Sequence, residues 1–342
     1  MHKLEVQSKE ARAKWEAAHA GLKRRTATHH RRVLSPDIVR SLLPSRVATI
    51  PARAARADAR AAAAQLEALS TAYREASERV QESVDGLIRT DLDGLTWWVP
   101  LGSEVTGAAR DRVVAKQRFP YRNITQAREF AVGPVMLDVG ANTGRMSIPR
   151  VILGDFVQAY CAEPDPLNYA ALVRNVLDNG LRGLVLPDRV AIGTATGSAF
   201  LRHAKYSGGH HLVRGGETSD AIEVPCCSLD DWCDRLSIDP DLVTYVKVDT
   251  QGWEMDVMQG APRLLARRHI AWQLEISPAL LSSADSSASD VYRMCAGRFS
   301  HFIDLGKAAE GPRARRTTDL SSALEYVGAE HSQTDIILFN SA

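Results

Sequence analysis

The chain has 342 residues, of which 45% are hydrophobic and 24% charged, and its formal net charge at pH 7 is +1. This length and composition exclude a disordered chain and allow one large domain with an appendage. The sequence shows neither an apolar stretch of membrane-spanning length nor an apolar segment at its start, so a cytoplasmic location is expected.

The charge is distributed unevenly along the chain. Residues 1–90 carry 17 Lys or Arg against 10 Asp or Glu, whereas the rest carries 25 against 31. Residues 1–51 are therefore predicted to form a basic, loosely structured lead-in. A basic arm for an anionic partner is one interpretation and a solvated surface is the other. We expect no nucleic-acid partner.

Residues 52–89 are rich in Ala, Arg and Glu, with no glycine before Gly86, which favours a helix. Apolar residues within this segment recur at heptad spacing. This pattern indicates either an amphipathic helix that packs on its own domain or a coiled coil that joins a homodimer. Residues 52–130 are predicted as a helical extension and cap, including a short strand at 96–100. Its Trp97 and Trp98 belong either to the core or to a sugar-stacking surface.

The central stretch runs from Val135 to Asp165. A buried strand ends at Asp138 and Val139, and a turn with Gly140, Asn142 and Gly144 follows. Glycines let a backbone approach a bound molecule closely, and the next helix offers free N–H groups there. Glu163 ends the second strand at the distance where an acid meets ribose hydroxyls. The stretch therefore predicts a site for an adenosine-containing cofactor.

The remaining chain alternates strands and helices, which predicts an α/β fold. The predicted elements are a helix at 166–179, a strand at 184–186, a hairpin of strands 198–203 and 221–224, a helix from Leu229, a strand at 243–248, a helix at 252–266, and strands at 271–276, 302–305 and 335–339. The hairpin encloses a long loop that carries His210 and His211, and long loops in compact domains are often functional.

Two segments carry a family resemblance. LDVGANTG at residues 137–144, followed by Glu163, resembles the S-adenosylmethionine-dependent methyltransferases of the Rossmann-like type, and VKVDTQGWEMDVMQGA at residues 246–261 resembles the second signature of the FkbM-type enzymes. The resemblance implies a seven-stranded sheet with an antiparallel last strand, within a methyltransferase domain at 131–342. It also implies S-adenosylmethionine as cofactor and a saccharide or natural-product hydroxyl as methyl acceptor.

The site residues follow from the turn, the strand ends and the loop. Those predicted to bind the cofactor are Asp138, Gly140, Asn142, Gly144, Glu163, Asp165, Ala191 and Asp249. Those predicted to be catalytic are His210, His211, Asp249 and Glu275, with a histidine as the base and Asp249 orienting the acceptor. Each catalytic candidate also has a structural alternative. Asp249 would cap the following helix, Glu275 would form a salt bridge with Arg267 or Arg268, and His210 and His211 would be solvated loop residues.

Gln251 departs from the family pattern, which has an acid at this position. No metal ligands are predicted, and dependence on a divalent metal stays open. The five cysteines, with no CxxC pair, are predicted to be reduced structural thiols. Alternative functions are N-methylation, protein methylation, or a non-catalytic scaffold with a methyltransferase fold.

Overall fold

The computed structural model describes residues 86–92, 94–100, 132–204, 207–214, 220–306, 314–321 and 333–340. The lead-in at 1–51, nearly all of the predicted helix at 52–89 and the homodimer that it would join lie outside these residues. Within them, no helix is both long enough and apolar enough to cross a lipid bilayer.

Residues 87–100 form a β-hairpin. Strand β1 (Leu87–Leu92) pairs antiparallel with β2 (Leu95–Pro100). The prediction that the helix extends to Arg89 is therefore wrong, because Gly86, with φ of 98°, begins a turn and the next residues are extended. The strand predicted around Trp97 and Trp98 is confirmed.

The other strands are β3 (Gly133–Val139), β4 (Phe156–Ala162), β5 (Val185–Asp188), β6 (Ala191–Gly193), β7 (Gly197–Arg202), β8 (His211–Val213), β9 (Ala221–Ser228), β10 (Val243–Val248), β11 (Ala271–Ile276), β12 (His301–Asp304), β13 (Arg315–Arg316) and β14 (Thr334–Phe339). The helices are α1 (Ser147–Ile152), α2 (Pro166–Asp178), α3 (Leu229–Arg235), α4 (Glu254–Gln259), α5 (Pro262–Leu265), α6 (Pro278–Ser283) and α7 (Ala288–Ala296).

The main sheet has the strand order β13-β12-β14-β11-β10-β3-β4-β5. Strands β5, β4, β3, β10 and β11 are parallel, and β14 runs antiparallel to both of its neighbours. This arrangement confirms the Rossmann-like methyltransferase sheet with its antiparallel last strand. The sheet has eight strands rather than seven, because the two-residue β13 pairs with the outer edge of β12.

Hydrophobic sequence explains the position of the central strands. Every residue of β11 is buried, as are five of the six residues of β10. Two clusters of apolar side chains pack on the two faces of the sheet, because the helices cover both faces. The hairpin completes one cluster through Trp97, which is only 1% exposed.

A smaller sheet with the order β6-β9-β7-β8 is inserted between β5 and α3. Strands β7 and β9 are the predicted hairpin, and β8 adds a third antiparallel strand from within the long loop. The helix predicted at 252–266 is two helices, α4 and α5. A side chain at Gly260 between them would come within 2.0 Å of the Gly193 carbonyl oxygen, so helix α4 ends against β6.

Candidate active site

A cavity of about 800 Å³ lies at the carboxyl ends of β3, β4, β10 and β11. This is the edge of an open α/β sheet at which ligands bind, and the volume suits a small-molecule site. Nine of the residues predicted from the sequence line it: Asp138, Gly140, Asn142, Glu163, Ala191, His210, His211, Asp249 and Glu275. The structure therefore brings the turn, the strand ends and the histidine loop together.

The glycine turn at the end of β3 is shaped by close backbone packing. Gly140 has φ of 77°, and a side chain there would come within 1.9 Å of the Asp249 carbonyl oxygen. Gly144 lies behind the turn, where a side chain would collide with Leu172 and Ile148 of the core. Gly144 therefore supports the wall of the cavity from behind rather than lining it.

The Glu163 carboxylate holds this turn in place. Its Oε2 accepts a hydrogen bond from the Asn142 backbone N–H at 2.7 Å, and its Oε1 accepts one from the Asp165 N–H at 3.0 Å. Burial raises the pKa of Glu163 to about 7, against the lowering effect of these bonds. The Asn168 side chain also bonds to this carboxylate, so about one of its roughly four acceptor sites is left for a hydroxyl donor of a ligand.

Asp165 lies behind Glu163 and joins it to the histidine loop. One carboxylate oxygen of Asp165 accepts the N–H groups of Leu167 and Asn168 and so caps α2, while the other lies 2.7 Å from His203 Nε2. Sequence reasoning missed His203, which follows the end of β7. Its only sequence signal was a third histidine shortly before His210 and His211.

Asp165, His203 and His210 have ligand atoms within 4.8 Å of one another, so this cluster is a candidate divalent-metal site. No metal site was predicted from the sequence. The Ala204 N–H donates to His210 Nδ1 at 3.0 Å, which occupies the lone pair of that nitrogen. A metal bound to His210 through Nδ1 would therefore have to displace this hydrogen bond.

The opposite end of the cavity is built around Asp249 and Glu275. Lys247 Nζ donates to Asp249 Oδ2 at 2.9 Å, and Gln251 Nε2 donates to Asp249 Oδ1 at 3.0 Å and to Glu275 Oε2 at 2.5 Å. Gln333 Nε2 donates to Glu275 Oε1 at 3.0 Å. The Gln251 amide thus bridges the two carboxyl groups.

These two carboxyl groups have opposite pKa shifts. Lys247 and hydrogen bonds lower the pKa of Asp249 despite its burial. Burial and the nearby charge of Asp249 raise the pKa of Glu275 to about 9. At neutral pH this pair is therefore one carboxylate beside one protonated carboxyl group.

The structure also decides between several alternatives. Asp249 bonds to Lys247 and Gln251, whereas the turn into α4 is fixed by Glu254, which accepts the Thr250 and Gly252 N–H groups. Arg267 pairs with Asp241 rather than with Glu275. All five cysteines are free thiols, and four of them are buried.

The tryptophan pair packs on α2 rather than at the cavity. Trp97 belongs to the core beneath the hairpin. Trp98 donates its Nε1–H to Asp178 at 2.7 Å and lies against the guanidinium of Arg174. A sugar-stacking role at the cavity is therefore wrong for both side chains.

The cavity is rich in carboxyl groups. Five of them line it, against two fixed cations, Arg145 and Lys247. The carboxyl groups are Asp138, Glu163, Asp249, Glu275 and Asp335. Burial raises the pKa values of Asp138, Glu163, Glu275 and Asp335, which means that their charged forms lack full compensation. The cavity therefore favours a ligand that carries positive charge and many hydrogen-bond donors.

Part of the chain matches the model of a known family. Residues 138–296 match the model of the methyltransferase FkbM domain. No curated protein matches the chain.

Solved structures are similar at low identity. The FkbM methyltransferase from Methylobacillus flagellatus is 16% identical over 61% of this chain and 44% of its own, with a TM-score of 0.34. This chain thus spans less than half of that protein. The T. thermophilus 16S rRNA methyltransferase RsmC, in complex with AdoMet and guanosine, is 10% identical over 75% and 50% of the two chains, with a TM-score of 0.36. P. horikoshii TYW2, in complex with MeSAdo, is 12% identical over 75% and 73%, with a TM-score of 0.34.

Proposed function

We propose that this protein is an S-adenosylmethionine-dependent O-methyltransferase that acts on a saccharide or another hydroxylated natural product, because residues 138–296 match the model of the methyltransferase FkbM domain. The observation that supports it best is the pairing of the Gly140 turn with the buried Glu163, which bonds to that turn. A glycan or small molecule, rather than a nucleic acid, is the proposed acceptor, and a cytoplasmic location is part of the same proposal.

The residues present fit this cofactor. Glu163 keeps acceptor capacity for a ribose hydroxyl group, and it lies directly beside the glycine turn to which it bonds. Asp138 and Asp249 lie in the same cavity, where buried carboxyl groups outnumber fixed cations. These negative groups suit an ammonium and a sulfonium group.

S-adenosylmethionine, when bound, supplies an electrophilic methyl group at its sulfonium centre. The protein has to align the acceptor hydroxyl with that group and accept its proton. Asp249, whose oxygens accept bonds from Lys247 and Gln251, is the proposed residue that orients the acceptor through hydrogen bonds. A histidine of the loop is the proposed proton acceptor.

The acidic cavity also supports the choice of acceptor. Asp249, Gln251, Gln273, Glu275 and Asp335 line its β10–β11–β14 side, and all five side chains are carboxyl or amide groups. Such groups bond to the hydroxyls of a polyol, whereas a phosphate would face the Asp249 carboxylate with like charge.

Titration calorimetry with S-adenosylmethionine tests the cofactor assignment. Glu163→Ala is expected to weaken binding on the order of 3 kcal/mol, because the charged acceptor for the ribose and the bond that holds the Asn142 N–H are both lost. Glu223→Ala, an exposed glutamate on β9, serves as the control. Unchanged affinity in Glu163→Ala contradicts the assignment.

A methyl-transfer assay then separates the functional classes. Labelled S-adenosylmethionine is incubated with panels of glycans, hydroxylated small molecules, amines and proteins. Transfer to hydroxyl acceptors is the expected result, and transfer to nitrogen would replace the proposal. If the wild-type protein binds no S-adenosylmethionine, the alternative of a non-catalytic scaffold with a methyltransferase fold replaces the proposal.

A further inference from the structure

The two neighbouring histidines of the loop hold their ring protons on different nitrogens. His211 Nδ1 lies 3.1 Å from the Gly209 carbonyl oxygen. A carbonyl oxygen only accepts hydrogen bonds, so Nδ1 carries the proton of this bond. In the neutral ring the proton is then absent from Nε2, whose lone pair is available as a proton acceptor.

His210 has the opposite arrangement. The Ala204 backbone N–H donates to His210 Nδ1, so the lone pair is on Nδ1 and the neutral ring carries its proton on Nε2. His210 is therefore a hydrogen-bond donor.

From this geometry we infer that His211 Nε2 takes the proton of the acceptor hydroxyl, whereas His210 donates a hydrogen bond from Nε2 to a bound ligand. The inference rests on the proposed function. As the hydroxyl oxygen forms its bond to the methyl carbon and the carbon–sulfur bond breaks, the hydroxyl proton moves to His211. The products are an ether, a neutral thioether and the His211 imidazolium.

Two contacts hold the histidine loop across the cavity. At one end, His203 bonds to Asp165, at the start of the helix that follows β4. At the other, Arg214 donates to Asp256 of α4 at 2.6 Å, and its guanidinium lies 4.5 Å from the Trp253 ring centroid. These anchors follow β4 and β10, which flank β3, and His210 and His211 line the same cavity as Asp138 and Gly140 at the end of β3.

The carboxyl groups of the cavity are poorer proton acceptors at neutral pH. Both oxygens of Asp249 already accept bonds from Lys247 or Gln251, which stabilise its ionised form. Glu275, with its pKa raised to about 9, is protonated and has no free capacity for a proton. His211 lines the cavity, and its Nδ1–H bond to Gly209 leaves the Nε2 lone pair as a proton acceptor.

Nitrogen-15 NMR of the histidine rings tests the assignment directly in the cofactor-free protein at pH 8. The expected spectrum shows the proton of His211 on Nδ1 and that of His210 on Nε2. His211→Gln and His210→Gln assign the signals, and the exposed His269→Gln is the matched control. A proton on His211 Nε2 overturns the inference.

Kinetics of the same variants provide the second readout. His211→Gln is expected to lower kcat by about 100-fold or more and to abolish the loss of rate at acidic pH, with cofactor affinity within a few-fold of wild type. His210→Gln is expected to raise KM while it keeps that acidic limb. If His211→Gln still loses rate at acidic pH, another group accepts the proton and the inference is overturned.

Two further outcomes are distinguishable. If the wild type binds S-adenosylmethionine but methylates no hydroxyl acceptor, the proposed function fails, whereas the NMR result still decides the protonation of the two rings. If Zn²⁺ binds to the protein and shifts the His203 and His210 signals, the loop is a metal site with Asp165, and the donor role of His210 is overturned.

Discussion

The two ends of the cavity are built from different kinds of bonds. At the β3–β4 end, one carboxylate, Glu163, accepts backbone N–H groups of a glycine turn and of Asp165. At the β10–β11 end, side chains bond to side chains, with the Gln251 amide between Asp249 and Glu275. The first end depends on backbone shape and the second on side-chain protonation.

This difference determines how each end responds to change. A backbone turn tolerates few residues, because any Cβ in the wrong place displaces the strand ends. When one member of a side-chain network is replaced, the backbone keeps its conformation, but the charges and protons of the remaining side chains redistribute. Substitutions at the two ends are therefore expected to differ in kind.

Gly140→Ala is expected to have the largest effect. Its Cβ would lie 1.9 Å from the Asp249 carbonyl oxygen, at a φ of 77° that L-residues adopt at a cost. We expect a loss of about 3 kcal/mol or more in the free energy of unfolding and at least about 100-fold weaker cofactor binding. Calorimetry and thermal unfolding measure both.

Gly180→Ala separates the collision from the backbone strain. Gly180 has a similar φ of 71°, but no atom lies within 4 Å of its added Cβ. We expect a loss of about 1 to 2 kcal/mol in stability from strain alone, with cofactor affinity unchanged. Equal effects of the two substitutions would show that the contact between β3 and β10 is not what requires glycine.

The β3–β4 end and the sheet could be predicted from sequence because their determinants are local. The apolar run before Gly140, the glycine turn and Glu163 lie within about 30 residues. Helix α2 was predicted from Pro166 and the residues that end it, and Asp165 caps it as observed. These patterns reflect backbone rules that each segment obeys by itself.

The rest depended on contacts between distant segments. Gln333 reaches Glu275 across 58 residues, and no periodicity marks a glutamine as a bridge. The predicted helix at Leu87–Arg89 is instead part of β1, because Gly86 begins a turn and these residues pair with Trp98–Pro100 of the same hairpin. His203 was missed because its partner Asp165 is 38 residues away.

Gln251→Glu tests the side-chain network at the β10–β11 end of the cavity. The substitution removes the donor to both Asp249 and Glu275 and places a third carboxyl group between them. We expect a loss of about 1 to 3 kcal/mol in the free energy of unfolding, with the Gly140 turn intact and cofactor affinity less affected than in Gly140→Ala. Denaturant titration measures it.

Gln158→Glu is the control for this change. Gln158 lies away from the cavity, and its amide donates to a single carbonyl, that of Gly183, at 3.1 Å. A smaller loss of stability is expected there. Equal losses would mean that the bridging position of Gln251 carries no special contribution.

Glu275→Gln is expected to have the smallest effect, visible as a change in pH dependence. The folded-state pKa of Glu275 is raised to about 9 from its ordinary value of 4.5. Between these pH values the unfolded chain has released a proton that the folded chain keeps, so this residue lowers stability as pH rises through the window. The amide that replaces the carboxyl group does not titrate, so the variant lacks that loss.

The difference in melting temperature, variant minus wild type, is therefore expected to increase by a few degrees from pH 5 to pH 8.5. Glu163, whose pKa is raised to about 7, contributes a loss of the same sign in both proteins, so it cancels in the difference. Glu223→Gln, an exposed site, should show no such trend. A flat difference for Glu275→Gln would mean that Glu275 is ionised in the folded protein, and Glu275 would then rejoin His211 as a candidate for the proton acceptor.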